Sequence, residues 1–298
     1  MCEHAHTEHG HSHDAGLSRK ARPDEFRVVL TGKGGVGKTS VTALLARLLA
    51  RRAYRVLALD ADPQMNLPYA LGLPPEQARA LMPLSRNLEY IEEKTGARPG
   101  SGWGLFFRLN PDVDDVVQRF GVVTPDQVRL LVMGDTVQPA AGCLCPENAL
   151  LAAVANNLSL RRNEVILLDT QAGVEHFGRA LARGFRHAVI ISDPTFNGVQ
   201  VALHSARLAA GLGIPMLHLV VNRVRNDDEI DRVTQILNFE DHPGFATQHI
   251  LPWSERLLET EPDVGPLLED AHSPLLVSVR GLRDALLYEE SLQCRHAS

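Results

Sequence analysis

Gly32-Lys33-Gly34-Gly35-Val36-Gly37-Lys38-Thr39 lies between a strand-like run and a helix-like run, and its reading decides the fold. Upstream, Arg27-Val28-Val29-Leu30-Thr31 is short, apolar and β-branched, as a buried strand requires. Downstream, Val41-Thr42-Ala43-Leu44-Leu45-Ala46-Arg47-Leu48-Leu49 is rich in Ala and Leu, as a helix requires. Between them, glycines let backbone N–H groups turn inward around phosphates, and the helix N-terminus adds partial positive charge. In such a loop Lys38 reaches the β- and γ-phosphates, the Thr39 hydroxyl ligates Mg2+, and Ser40 continues the cradle into the first helical turn. The full pattern, in strand–loop–helix context, points to a site for ATP or ADP with Mg2+.

The chain has 298 residues, 44% of them hydrophobic, which suffices for one large α/β domain. A formal net charge of −6 argues against general nucleic-acid binding. No apolar run is long enough to span a bilayer. The polar, His-rich start does not read as a secretory signal. Four cysteines, at positions 2, 143, 145 and 294, do not resemble a secreted disulfide framework. A reducing, cytoplasmic compartment is the simplest reading.

Residues 1–25 read as a disordered polar tail, and residues 26–298 as a single domain. Within that domain, apolar runs at 56–60, 128–133, 165–169, 188–192, 217–222 and 249–251 read as strands. Helical stretches fit between them, at 146–158, 198–210 and 229–237. Strands separated by helices imply right-handed crossovers. The expected architecture is α/β: a doubly wound, mostly parallel sheet with helices on both faces. Residues 84–112, rich in Gly, Pro and charge, read as loops and short elements at one end of the sheet.

In such sheets, reactive groups gather beyond the carboxyl ends of the strands. Asp169 closes an apolar strand and is placed to hold Mg2+, through water or directly. Asp60 and Asp62 end another in Asp60-Ala61-Asp62-Pro63, and Asp62 is placed to position or deprotonate an attacking water. The bland alternative for these carboxylates is a helix N-cap or a loop turn. Asn222, followed by Arg223, ends a strand and offers a carboxamide to an adenine edge, or simply forms a turn. Lys33 is the unusual residue. A second lysine beside Lys38 brings another charge to the transition state.

With Lys33 and Lys38 in this spacing, the chain resembles the deviant phosphate-loop ATPases, which include the MinD and ParA partitioning ATPases and the nitrogenase iron protein. The resemblance implies an ATP-driven homodimer in which the extra lysine reaches the partner's nucleotide. It makes Asp60-Ala61-Asp62-Pro63 the first switch segment. The second is Asp169-Thr170-Gln171-Ala172-Gly173-Val174-Glu175-His176.

Gly142-Cys143-Leu144-Cys145-Pro146-Glu147-Asn148 is the second informative stretch. In extended chain, residues two apart point the same way, so both sulfurs could face one metal. Pro146 suits the first turn of a helix, which places Cys145 where the helix dipole favours thiolate. Two thiolates do not close a tetrahedral site, but a two-fold axis supplies two more. The bland alternative is two small cysteines packed under a helix.

The resemblance narrows at three further stretches. One is Gly96-Ala97-Arg98-Pro99-Gly100-Ser101-Gly102-Trp103-Gly104 with Phe107-Arg108-Leu109-Asn110-Pro111-Asp112-Val113-Asp114-Asp115; the others are the Cys143-x-Cys145 run and Ala172-Gly173-Val174-Glu175-His176-Phe177-Gly178-Arg179. Together they are similar to the nickel-inserting CooC-type ATPases that mature carbon monoxide dehydrogenase. That family implies Ni2+, or Zn2+ in its place, held by the paired cysteines of a dimer, with the apo-dehydrogenase as client. Nucleic acid and membrane are not expected partners, given the net charge and the lack of a basic face in Asp284-Ala285-Leu286-Leu287-Tyr288-Glu289-Glu290-Ser291. Gln171 departs from the pattern, since the family more often carries an acidic residue before Ala-Gly. Asp135 reads as an added residue in the approach to the cysteines.

Competing classes remain open on the residues alone. An electron donor with an interface [4Fe–4S] cluster, like the nitrogenase iron protein, could use the same cysteines. A partitioning-type ATPase could use the same phosphate loop. The tail residues Cys2, His4, His6, His9, His11 and His13 read as metal binding, because imidazole suits Ni2+, Zn2+ and Cu2+. Glu175-His176 and the C-terminal Cys294 and His296 read as packing and a frayed end.

Overall fold

The computed structural model describes residues 25–99, 107–134, 146–158, 160, 163–173 and 181–296. Strand β1 (Phe26–Gly32) leads through the glycine-rich loop into helix α1 (Lys38–Ala50). The chain continues through β2 (Arg55–Ala61), α2 (Leu67–Ala70), α3 (Pro75–Ala80), α4 (Leu88–Thr95) and α5 (Val116–Phe120). Then come β3 (Val122–Val123), β4 (Arg129–Val132), α6 (Pro146–Asn157), β5 (Glu164–Thr170) and β6 (His187–Ser192). The last third holds α7 (Phe196–Gly211), β7 (Met216–Val224), α8 (Asp227–Phe239), β8 (Thr247–Pro252), α9 (Glu255–Thr260) and α10 (Pro274–His296).

The described strands form one sheet in the order β3-β4-β2-β5-β1-β6-β7-β8. Every pairing is parallel except that of the two-residue edge strand β3 with β4. The expected doubly wound sheet is present. β1 lies near its centre, and from it the chain winds outward to β2 on one side and later to β6 on the other. The loop after β1 therefore opens at the point where strand order reverses, where a crevice forms.

Successive strand residues face opposite sides, and the core divides accordingly. Val28 and Leu30 of β1, with Val165 and Leu167 of β5, pack on α1 and α10. Val29, with Ile166 and Leu168, packs on α6 and α7. Both faces are covered, which is why the central strands read as unbroken apolar runs.

Each expected strand is found within a residue or two of its expected bounds. Within 84–112, of which 84–99 and 107–112 are described, the expected short elements include α4, fixed by an Asn87 cap whose Oδ1 accepts the Tyr90 N–H at 3.0 Å. Tyr90 and Ile91 then bury against the core. The C-terminal segment, expected to fray, continues as helix to His296. Among the described residues, no helix is long and apolar enough to cross a membrane.

Gly32 is the tightest backbone position of the loop. Its φ is +148°, and a Cβ there would lie 2.0 Å from the Ile191 carbonyl oxygen of neighbouring β6. A Cβ on Gly34 would meet only the Ala172 Cβ at 3.4 Å, an ordinary contact. Gly32→Ala is therefore expected to cost at least about 3 kcal/mol in urea denaturation, beyond the usual single-residue range, and Gly34→Ala less than about 1. Equal losses would contradict this packing.

Candidate nucleotide site

Three neighbouring strands bring the site together. Asp169 of β5 lies in register with Leu30 of β1 and with Asp60 of β2, so both carboxylates sit beside the root of the phosphate loop. Asp169 caps no helix, whereas Asp60 accepts the N–H of Leu67, the first residue of α2. Asp169 has no exposed surface. Its Oδ2 accepts the Thr39 hydroxyl at 2.7 Å and its Oδ1 accepts the Thr42 hydroxyl at 3.2 Å. These two donors, one helical turn apart on α1, lock the carboxylate against the loop.

Asp60 is also fully buried. It accepts the backbone N–H groups of Asp62 at 3.0 Å and Leu67 at 3.2 Å. Burial, followed by the charge of Asp169, holds its carboxyl well above the usual range. Burial pushes Asp169 up to about 6, against the pull of Thr39, Lys38 and Thr42. Lys38 is shifted the other way by burial, opposed by Asp169 and Asp62. Two buried carboxylates and a buried ammonium thus share one low-dielectric corner, where charge interacts strongly. The Thr39 hydroxyl and the Asp169 carboxylate are hard oxygen donors side by side, a donor set that fits Mg2+.

The Lys38 ammonium donates to the carbonyls of Gly32 at 3.2 Å and Lys33 at 3.1 Å, so the loop closes around its own lysine. Asp62 is half-buried beside it, and its Oδ1 accepts the Gln64 N–H at 2.9 Å. The stretch Asp169–Gly173 is stitched to β1. Thr170 Oγ1 donates to the Leu30 carbonyl at 2.7 Å, and Gly173 bridges Gly32. Gln171 and Ala172 lie within this stitched stretch, while Glu175 and His176 fall outside the described residues.

Asn222, at the carboxyl end of β7, meets the phosphate loop. Its Nδ2 donates to the Val36 carbonyl at 2.7 Å, and its Oδ1 accepts the Arg223 N–H at 2.9 Å. The carboxamide is engaged with the phosphate loop itself. A Cβ on Gly37, at φ +94°, would come within 2.6 Å of that Nδ2, so glycine is required for the approach. Arg223 sits at φ +66°, an unusual conformation for a residue with a side chain. A small cavity opens beside the loop, lined by Gly37, Ser40, Asn222, Arg223, Trp253 and Leu257. The Arg225 guanidinium covers the Trp253 ring at 4.3 Å.

Lys33 has a partner that the sequence did not suggest. Its ammonium lies 3.9 Å from Asp193 Oδ2, just beyond the carboxyl end of β6. Asp193 Oδ1 accepts the Thr195 N–H at 3.2 Å, and the Thr195 hydroxyl caps α7 through the Gly198 N–H at 3.0 Å. Asp193 follows a strand end just as Asp169 and Asp62 do, and that position is the signal by which it could have been found.

Cys143, Cys145, Asp135 and the tail residues Cys2, His4, His6, His9, His11 and His13 lie outside the described residues. Among the described residues, no group of three or more His, Cys, Asp or Glu is arranged to hold a metal ion. The flanks of the cysteine stretch are described. β4 ends at Val132 in register with Asp60, and the Met133 N–H donates to the Asp60 carbonyl at 2.8 Å. The stretch thus leaves the sheet at the nucleotide edge, and α6 begins at Pro146 as expected.

Comparison with known proteins agrees with this geometry. Residues 28–263 match the model of the CobQ/CobB/MinD/ParA nucleotide binding domain. The chain is 37% identical over 205 residues to the carbon monoxide dehydrogenase accessory protein CooC of Rhodospirillum rubrum, covering 69% of this chain and 77% of that one. It is 36% identical over 236 residues to an uncharacterised ATP-binding protein of Methanocaldococcus jannaschii, covering 79% of this chain and 88% of that one. The cell division ATPase MinD of Pyrococcus furiosus shares the fold at TM-score 0.60 and 20% identity, over 89% of this chain and 99% of that one. The phosphate loop, the paired strand-end carboxylates and these likenesses together show that the chain belongs to the CobQ/CobB/MinD/ParA nucleotide-binding family.

Proposed function

We propose that this phosphate-loop ATPase is a nickel metallochaperone that works as a homodimer and delivers Ni2+ to the nickel–iron–sulfur cluster of a carbon monoxide dehydrogenase. The observation that carries the reading is the Cys143-Leu144-Cys145 run in a chain that is 37% identical to CooC. Cys143 and Cys145 from both subunits would form a four-thiolate site for Ni2+ or Zn2+ on the two-fold axis. The metal is cargo. The His-rich tail, with Cys2, would raise its local concentration.

The nucleotide machinery uses the residues described above. Thr39 and Asp169 would hold Mg2+, which neutralises charge on the phosphates when bound. Lys38 turns from the carbonyls of Gly32 and Lys33 to the β- and γ-phosphates. Asp62 orients the attacking water and accepts its proton. The backbone of residues 32–40 cradles the phosphates, and the cavity by Ser40, Asn222 and Arg223 receives the base. Asn222 serves by bracing Val36. Lys33 is held in its own subunit by Asp193 and must leave it to reach the partner's nucleotide. A reducing, cytoplasmic setting suits free thiolates.

Two outcomes follow. Lys33→Gln is expected to lower ATP hydrolysis at least about 100-fold, as loss of a transition-state charge does. Asp193→Asn should strengthen ATP-dependent dimerisation by no more than about fivefold, because a half-exposed ion pair is worth at most ~1 kcal/mol. Hydrolysis unaffected by Lys33→Gln would contradict the dimer mechanism. In the second test, nickel-deficient dehydrogenase is incubated with this protein, Ni2+ and ATP. Activity should return, and the Cys143→Ser/Cys145→Ser variant should fail. Restoration by the variant would remove the cysteines from delivery.

A further inference from the structure

At the opposite end of the sheet, a polar chain crosses three strands, β6, β7 and β8. His249 Nε2 lies 2.9 Å from Thr247 Oγ1, which lies 2.8 Å from His218 Nδ1. His218 Nε2 lies 3.0 Å from His187 Nδ1, and His187 Nε2 lies 2.7 Å from Glu290 Oε1 on α10. His187 and His218 have no exposed surface, and their rings stack at 5.2 Å. Arg186 Nε lies 3.3 Å from the same Glu290 oxygen. Phe26 of β1 packs edge-on against His187 at 5.7 Å. The neighbouring cation on β1, Arg27, is engaged with Glu25 and the carbonyls of Ala155 and Leu158.

The donors in this chain follow from one fixed end. Glu290, ion-paired with Arg186, can only accept, so His187 Nε2 carries a proton. Wherever His187 carries only that one proton, it accepts at Nδ1, which forces the proton of His218 onto Nε2. His218 Nδ1 accepts from the Thr247 hydroxyl, whose oxygen in turn accepts from His249 Nε2. With all three imidazoles neutral, every link points toward Glu290.

We propose that this is a proton-storing clasp between β8 and α10, a one-way hydrogen-bond chain that takes up a single proton by reversing its three links from His249 to His187. The entry is His249, half-buried on edge strand β8. A proton arriving at His249 Nδ1 displaces the one on Nε2 to Thr247. Thr247 passes its own to His218 Nδ1, and His218 passes its Nε2 proton to His187 Nδ1. The charge comes to rest on His187 against Glu290, while His218 and His249 end neutral in the opposite tautomer. Burial, which pushes the His218 imidazole down to about 3 and that of His249 below its ordinary value, keeps charge from resting on either. α10, which carries Glu290, packs on β8 and also on α1, the helix that starts at the phosphate loop.

Imidazole 15N NMR of the full chain tests this. At pH 8 all three rings should carry their proton on Nε2. On acidification, His218 and His249 should move it to Nδ1 at the same midpoint at which His187 gains its second proton, with neither becoming charged. Thr247→Val keeps the side-chain shape and cuts the chain, so the His249 tautomer change should be lost while His187 still titrates. His218 or His249 keeping its tautomer through the His187 titration, or His249 still following His187 in Thr247→Val, would overturn the proposal.

Discussion

The carboxylate of Asp169, buried and held by the hydroxyls of Thr39 and Thr42, is the contact on which the rest of the structure turns. It joins the end of a central strand to the first turn and a half of α1, so the phosphate loop has little freedom left. Desolvation raises the cost of its charge, and Lys38 and the two hydroxyls offset that cost. Asp60, one strand over, adds a second carboxylate that cannot be moved away from the first. A corner arranged this way is electrostatically strained in favour of cations, which is what a site for a magnesium nucleotide requires.

Around that corner, the described contacts brace the loop from each side. Asn222 holds Val36, Thr170 holds Leu30, and Gly173 bridges Gly32. Lys33 is the loose member. Half-exposed and 3.9 Å from Asp193, it is held weakly enough to change partners. The Asp60–Asp62 turn and the stretch leading to Cys143 leave adjacent strands at the same edge. The Asp60 carbonyl accepts the Met133 N–H, so the root of that stretch is tied to the strand that ends in the Asp60–Asp62 turn.

Much of this was legible in the sequence, for physical reasons. Parallel strands buried on both faces are written as unbroken apolar runs, so β2, β5, β6 and β7 were visible. The glycine–lysine pattern was visible because only that spacing lets backbone approach phosphates. β3 was not, since two residues on an antiparallel edge leave no periodic trace. α4 was hidden by its charged residues, because its order comes from the Asn87 cap and two buried side chains. At the site, Asp60, Asp62 and Asp169 were readable as strand-end carboxylates. Asp193 shares the strand-end position, but Asp193-Pro194-Thr195 also looks like an ordinary helix entry, which masks the signal. The engagement of Asn222 with Val36 depends on packing between residues 186 positions apart. The histidine chain from Thr247 to Glu290 is assembled from separate strands and a terminal helix, and no local pattern announces it.

The measurement that bears most directly on a shared metal site is native mass spectrometry of protein lacking residues 1–22, loaded with Ni2+ and a non-hydrolysable ATP analogue. The account predicts a dimer carrying about one nickel, and no bound nickel in Cys143→Ser/Cys145→Ser. A nickel-free dimer, or nickel carried by monomers, would contradict it and would leave the interface iron–sulfur reading of the same cysteines ahead.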